Sequence, residues 1–220
     1  CALPILFEML SLIKKYPDGG LYSSAHSIIE GELEYSPVSA YGTFFEGKVD
    51  DPFYVFSRGL SLLNSSTAVV RRDVLSNSLR FPVGESRGED LHLWIRLINE
   101  HAMYHHNIET VKINRNAFER SALLKIKSTP AHFKLIFSMF RNKEVKSQHQ
   151  RGLKRFFLLS SLATCAAVKL EGDNRFVYYM ARESFSHNFI LAGCMLATLM
   201  LTPRKVLQLI KLKRRGNRRG

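Results

Sequence analysis

The chain has 220 residues, a formal net charge of +13, and 45% hydrophobic and 23% charged residues, a globular composition that excludes a disordered or collagen-like chain. That length supports one sizeable core or two small ones. The charge suits nucleic acid, an anionic membrane surface or a phosphate-bearing substrate, and much of it is terminal, since Arg204 to Arg219 holds eight basic residues and no acidic one. The cysteines Cys1, Cys165 and Cys194 form no close pair. Cys165 and Cys194 lie in apolar runs and are expected to be small buried hydrophobes, which suits a reducing compartment. The chain opens on Cys1 with a helical pattern under way and no signal-peptide pattern, so it is expected to begin inside a domain.

Leu6, Met9, Leu10 and Ile13 recur at helical spacing and predict a helix over Pro4–Lys15, stopped by the turn chemistry of Tyr16 to Gly20. Leu21–Ile29 reads as a strand, Glu30-Gly31-Glu32 as a turn, and Leu33–Val38 as a second extended piece. Pro52–Leu63 is predicted helical. The β-branched run Ser66–Arg71 predicts a short buried strand, and Asp73 is expected to cap a turn that points Val74 and Leu75 inward. Phe81–Gly88 reads as a loop, Leu91–Asn99 as an amphipathic helix, and Ala102–Ile113 as extended. This alternation predicts α/β layers. Beyond a boundary within Arg120–Ser128 only helices are predicted, over Pro130–Arg141, Leu153–Val168, Arg175–Leu201 (one helix or two) and Pro203–Lys213. The apolar run Phe189–Leu201 has the length of a buried helix, short of the ~20 residues a membrane span requires.

The stretch Gly88-Glu89-Asp90-Leu91 places two carboxylates in the first turn of a helix, where the macrodipole favours the ionised form. A carboxylate held there beside a substrate can serve as a general base; the simpler reading is a helix start. Three blocks surround it: Asn64-Ser65-Ser66-Thr67-Ala68-Val69-Val70-Arg71-Arg72-Asp73, Leu79-Arg80-Phe81-Pro82, and the helix carrying Trp94, Arg96 and Leu97. In their order and spacing these resemble the second half of the catalytic domain in the large inverting glycosyltransferase family 2, which has the GT-A fold. Phe7 to Leu21 resembles the helix and strand that follow the nucleotide-sugar half. The likeness covers residues 1–122.

The resemblance implies a partial GT-A domain over 1–122, its nucleotide-sugar half missing, followed by an all-α region over 123–220. It implies transfer of a sugar from a nucleotide-sugar donor to a saccharide or lipid-linked acceptor with inversion, in cell-surface polysaccharide or lipopolysaccharide synthesis at the cytoplasmic side. Asp90 would be the base; Glu89, Ser65, Ser66, Trp94 and Arg96 would meet the acceptor. Trp94 also reads as core, and Arg96 equally as a solvated helix charge. No Asp-x-Asp occurs in the sequence, and Asn114 stands where many relatives carry a metal-binding histidine. The implied divalent metal (Mn or Mg) is therefore expected to be held largely outside this chain, and the fragment alone is expected to be inactive. His105-His106 are strand neighbours that point to opposite faces and so do not share an ion. The basic amphipathic segment 203–220 suggests peripheral attachment to an anionic membrane, against the simpler reading of a solvated tail. The alternative to an enzyme is a basic helical module for membrane or nucleic acid. No nucleic-acid motif is present to favour the latter.

Overall fold

In the computed structural model, which describes residues 3–36, 45–58, 62–75, 79–85, 87–116 and 129–208, two long strands organise the first half. β1 (Gly19–Glu30) and β5 (Ala102–Asn114) run parallel, with Leu21 opposite Met103 and Tyr22 opposite Tyr104. Successive strand side chains alternate between faces, so these two pairs divide the core. On one face Tyr22 and Tyr104 pack with Met9 and Leu12 of helix α1 (Leu3–Lys15). On the other, Leu21 and Met103 join the main apolar cluster with Trp94, Ile95, Leu97 and Ile98 of helix α3 (Glu89–Glu100). Helices cover both faces of the sheet, as the alternation of elements predicts. β1 accordingly carries a near-continuous buried run, whereas β5 is buried only over residues 103–106.

The short strands fill the edges. β5 takes one edge of β1. The other is shared by β2 (Leu33–Tyr35), against Ile28–Glu30, and β4 (Ala68–Val70), against Leu21–Ser23, both antiparallel. β3 (Glu46–Lys48) pairs antiparallel with the far edge of β5. Gly31 turns β1 into β2 at φ 67°, and Asn116 Oδ1 accepts the Gly31 N–H at 2.6 Å. Glu30-Gly31-Glu32 is thus a hairpin turn, as its composition predicts.

Several expectations need correction. The helix expected over Pro52–Leu63 is α2 (Pro52–Ser57), with Arg58 as its C-cap; Asp51 caps its start by accepting the Tyr54 N–H at 3.0 Å. The strand expected to be buried over Ser66–Arg71 shrinks to β4. It is only half-buried, because it pairs along one edge with three residues of β1. Asp73 is not the cap: it lies within the 3-10 turn Arg72–Val74, whose N-cap is Arg71, and its carboxylate is held by Arg71 Nε at 2.6 Å. Val74 points inward but Leu75 is exposed. Residues 37–38 of the second extended piece lie outside the described residues.

The second half is helical throughout its described residues: α4 (Ala131–Arg141), α5 (Ser147–Glu171), α6 (Asn174–Ser186) and α7 (Ile190–Leu201). The stretch Arg175–Leu201 is two helices, broken at Asn188, which takes φ 60°. Gly193 lets α7 close on α6, since a Cβ there would meet the Phe185 ring at 2.8 Å. One apolar cluster runs from Leu21 and Leu97 through Phe133, Phe137 and Phe157 to Leu196. Asn99 at the end of α3 ties the halves together: its Nδ2 donates to Glu144 O and its Oδ1 accepts from the Lys146 N–H, both at 3.0 Å. The boundary expected within Arg120–Ser128 lies outside the described residues, as does the tail after Gln208. Two apolar expectations fail at α7. The helix is not buried all round, and Cys194 is exposed while Cys165 is buried. Among the described residues no helix is long and apolar enough to cross a membrane.

Candidate active site at the start of helix α3

Gly88 sets the site. It is the N-cap of α3 at φ 70°, a left-handed conformation that costs other L-residues about 1–2 kcal/mol. A Cβ there would lie 2.1 Å from His132 Nδ1 of α4. Only glycine satisfies both conditions without movement. The loop before it is pinned to α4 by the Ala131 N–H, which donates to Arg87 O at 2.9 Å, and by Lys134 Nζ, 2.7 Å from Glu85 Oε1. Glu89 and Asp90 then occupy the first turn, both half-buried. Asp90 Oδ1 accepts from the Leu91 N–H at 2.7 Å. Among the described residues Oδ2 has no hydrogen-bond partner.

Asp90, Leu93 and Trp94 are spaced i, i+3 and i+4, so they share one face of α3. Leu93 and Trp94 form the floor of an open groove of about 590 Å³, completed by Val70 of β4 and by Arg72, Leu79 and Phe81. Phe81 meets Trp94 edge-on, with centroids 6.3 Å apart at 75°. Trp94 is thus both core, as expected, and groove wall. Arg72 and Arg80 are exposed at the rim.

Of the residues singled out by sequence, Glu89, Asp90 and Trp94 come together here. Ser65 and Ser66 do not border the groove. They are exposed in the turn before β4, where Asn64 Oδ1 accepts the Ser66 N–H at 2.9 Å, while Val70 and Arg72 at the other end of β4 reach the groove. Arg96 stands one turn after His92, and its charge helps to hold that imidazole neutral. Asn114 is exposed at the end of β5, and its Oδ1 accepts the Asn116 N–H at 2.9 Å. No group of three or more His, Cys, Asp or Glu among the described residues is placed to hold a metal. Asn114, exposed and engaged with Asn116, is not placed with other such ligands among the described residues.

Sequence reasoning missed the two histidines under the site. His92 Nδ1 and His132 Nδ1 are buried and, among the described residues, have no hydrogen-bond partner. Burial pushes the His132 imidazole down to about 4, and neighbouring His92 adds to the shift. Burial and then Arg96 lower His92, against Glu85. His92 was legible from its place in α3, but His132 arrives from another element and no local pattern announces it.

A second polar cluster lies inside the sheet. Ser23 Oγ is 2.7 Å from His105 Nδ1, and His105 Nε2 is 3.0 Å from Asn107 Oδ1. The spacing is that of a nucleophile, a base and an orienting group, yet Ser23 and His105 are fully buried. Ser23 also donates its one proton to Leu62 O at 2.8 Å. With both residues sealed from solvent and the Ser23 hydroxyl already bonded to a backbone carbonyl, the network closes the core and offers no accessible nucleophile. His106 is separate, its Nδ1 accepting the Ile108 N–H at 3.2 Å. Comparison with known proteins adds no identity, since no family model, curated protein or solved structure matches the chain.

Proposed function

We propose that the chain is the acceptor-side part of an inverting glycosyltransferase related to family 2, with Asp90 as the general base. The observation that carries this reading is the placement of Asp90. It sits in the first turn of α3, on the helix face that continues into the Leu93–Trp94 groove. A sugar acceptor would lie along that groove, its apolar ring face against the exposed Phe81, which the buried Trp94 supports edge-on. Asp90 takes the proton from the attacking hydroxyl. The new bond forms from that oxygen to the anomeric carbon, and the bond from that carbon to the diphosphate breaks with inversion. A base contributes only as the hydroxyl becomes nucleophilic in the transition state. Glu89 contacts the acceptor or steadies the loop. The donor and the divalent metal belong to residues other than those described, and no step here passes through the metal. Arg72 and Arg80 suit an acceptor that carries phosphate, in keeping with cell-surface polysaccharide synthesis.

The test is Asp90→Asn in the complete protein, assayed with a panel of nucleotide sugars. Transfer should fall about 10²- to 10⁴-fold, the usual worth of a general base, with donor binding retained. Turnover within threefold of the unaltered protein would sink the assignment.

A further inference from the structure

Helix α7 (Ile190–Leu201) contains no charged residue and is apolar all round, a pattern expected of a helix enclosed on every side. Yet only Ala192, Gly193 and Leu196 are buried within it. The exposed residues Ile190, Leu191, Cys194, Met195, Thr198 and Leu201 are spaced so that they fall on one continuous face. Ile190 is 62% exposed, Leu191 64% and Leu201 79%. The single hydroxyl on that face is consumed internally, Thr198 Oγ1 donating to Cys194 O at 3.0 Å. Apart from the weakly polar Cys194 thiol, the face thus has no side-chain donor left for water.

The helix is held in place rather than loosely attached. Lys169 of α5 is buried and its Nζ donates to the terminal carbonyls of α7, Leu199 O at 2.8 Å and Met200 O. Arg204 Nε returns to Lys169 O at 2.9 Å. Both ends of the face carry cations. At the N-terminal end Arg151 and Lys154 line a groove of about 360 Å³ whose other wall is Ile190 and Leu191; Arg155 lines it too, while bonding Ser57 at 3.1 Å. At the other end stand Arg204 and Lys205. The sequence has no Asp or Glu from Ser184 to Gly220.

We infer that the outward face of α7 is an interfacial docking surface for an anionic lipid bilayer. The helix would lie in the plane of the headgroups with Ile190, Leu191, Met195 and Leu201 in the acyl boundary, and the flanking cations on lipid phosphates. Twelve residues at 1.5 Å each give about 18 Å, too short to span a ~30 Å hydrocarbon core, so the helix lies on the membrane and does not cross it. A second copy of the chain is the poorer occupant, because packing two such faces together would bring like-charged ends into contact, whereas anionic headgroups complement them. The inference does not rest on the transferase reading.

The test uses the complete protein with vesicles of phosphatidylglycerol and phosphatidylcholine, and with phosphatidylcholine alone. Binding should occur to the anionic vesicles and fall by about fivefold for each of Arg151 and Lys154 changed to Gln, the worth of one cation near such a surface. Ile190→Glu with Leu191→Glu should reduce binding at least tenfold while leaving the melting temperature unchanged, since both side chains are exposed. Cys194 gives a direct readout in the unaltered chain: maleimide labelling, resolved peptide by peptide, should be suppressed when vesicles are bound. An absence of binding to anionic vesicles would overturn the inference. So would unchanged Cys194 labelling in bound protein, which would assign attachment to the tail beyond α7. A lipid-free dimer that the Ile190 and Leu191 changes dissociate would overturn it in favour of a second copy.

Discussion

Replacing Gly88 by alanine tests the geometry that places the candidate base. Two costs arise. The first is conformational: alanine at φ 70° costs about 1–2 kcal/mol. The second is steric, because the new Cβ would fall 2.1 Å from His132 Nδ1. That ring cannot move freely, being packed at 4.1 Å and tilted by 48° against Phe133 and lying 6.5 Å from Phe156. Overpacking of this kind costs about 1–3 kcal/mol, so Gly88→Ala should destabilise by about 2–5 kcal/mol in all. The two costs separate in a double-mutant cycle. In a His132→Ala background the steric part vanishes and the conformational part stays, so the two substitutions should couple by about 1–3 kcal/mol. Urea unfolding measures both, provided that the slope with denaturant is unchanged. A Gly88→Ala cost below about 0.5 kcal/mol, or one that is the same with and without the His132 ring, would refute the argument.

Two further outcomes concern buried titrating groups. His105 and His132 are each held at about 4 in the fold, burial being the main cause, against about 6.5 when unfolded. Below pH 6.5 the unfolded chain therefore binds more protons than the folded one. The stability these neutral rings carry is complete above pH 6.5 and drains away as pH falls towards 4, by up to about 3 kcal/mol for each ring. Urea midpoints that stay flat from pH 7 to pH 4.5 would contradict this, and His132→Gln should make the slope shallower. Lys169→Met removes the charged donor from the last carbonyls of α7; hydrogen bonds from charged groups contribute about 1.5–3 kcal/mol each, offset by relief of a buried charge. A net loss of about 1–3 kcal/mol is expected in a thermal or urea melt, and an unchanged melt would show that α7 is anchored by packing alone.

What the sequence makes legible follows the range of the interactions. α1, β1, α3 and β5 are set by periodicity within a dozen residues, and their predicted spans agree with the structure to within a few residues. The β1–β2 turn is equally local, resting on Gly31. The errors fall where the outcome depends on distant partners. β4 has the composition of a buried strand, but among the described residues it pairs only with β1 and stays half-buried. α7 has the composition of an enclosed helix, but the described residues pack on one side of it only. Asp73 looks like a cap until Arg71 takes its carboxylate. His132 enters the site from α4, 44 positions after Gly88, and nothing near either residue signals the meeting.

The same distinction bears on the Gly-Glu-Asp motif. A motif can persist in a fold because the fold requires it, and each member can be checked for that. Gly88 is required by its φ and by His132. Trp94 is required by the core that it joins. Leu91 packs against that core, and Leu93 is part of it. The carboxylates stand apart. Asp90 spends one oxygen on the adjacent N–H of Leu91. Glu89 makes no hydrogen bond or ion pair among the described residues. A helix start needs a favourable charge near its first turn, worth about 0.3–1 kcal/mol, and one carboxylate would supply it. Two half-buried carboxylates, one with an oxygen unspent and on the face that runs into an aromatic groove, exceed what folding asks of them. That surplus favours a chemical role for Asp90 over a helix start alone. If the surplus is chemical, Asp90→Asn should leave the melting temperature nearly unchanged while transfer collapses. If it is only a helix start, the same substitution should cost stability and activity together, in proportion.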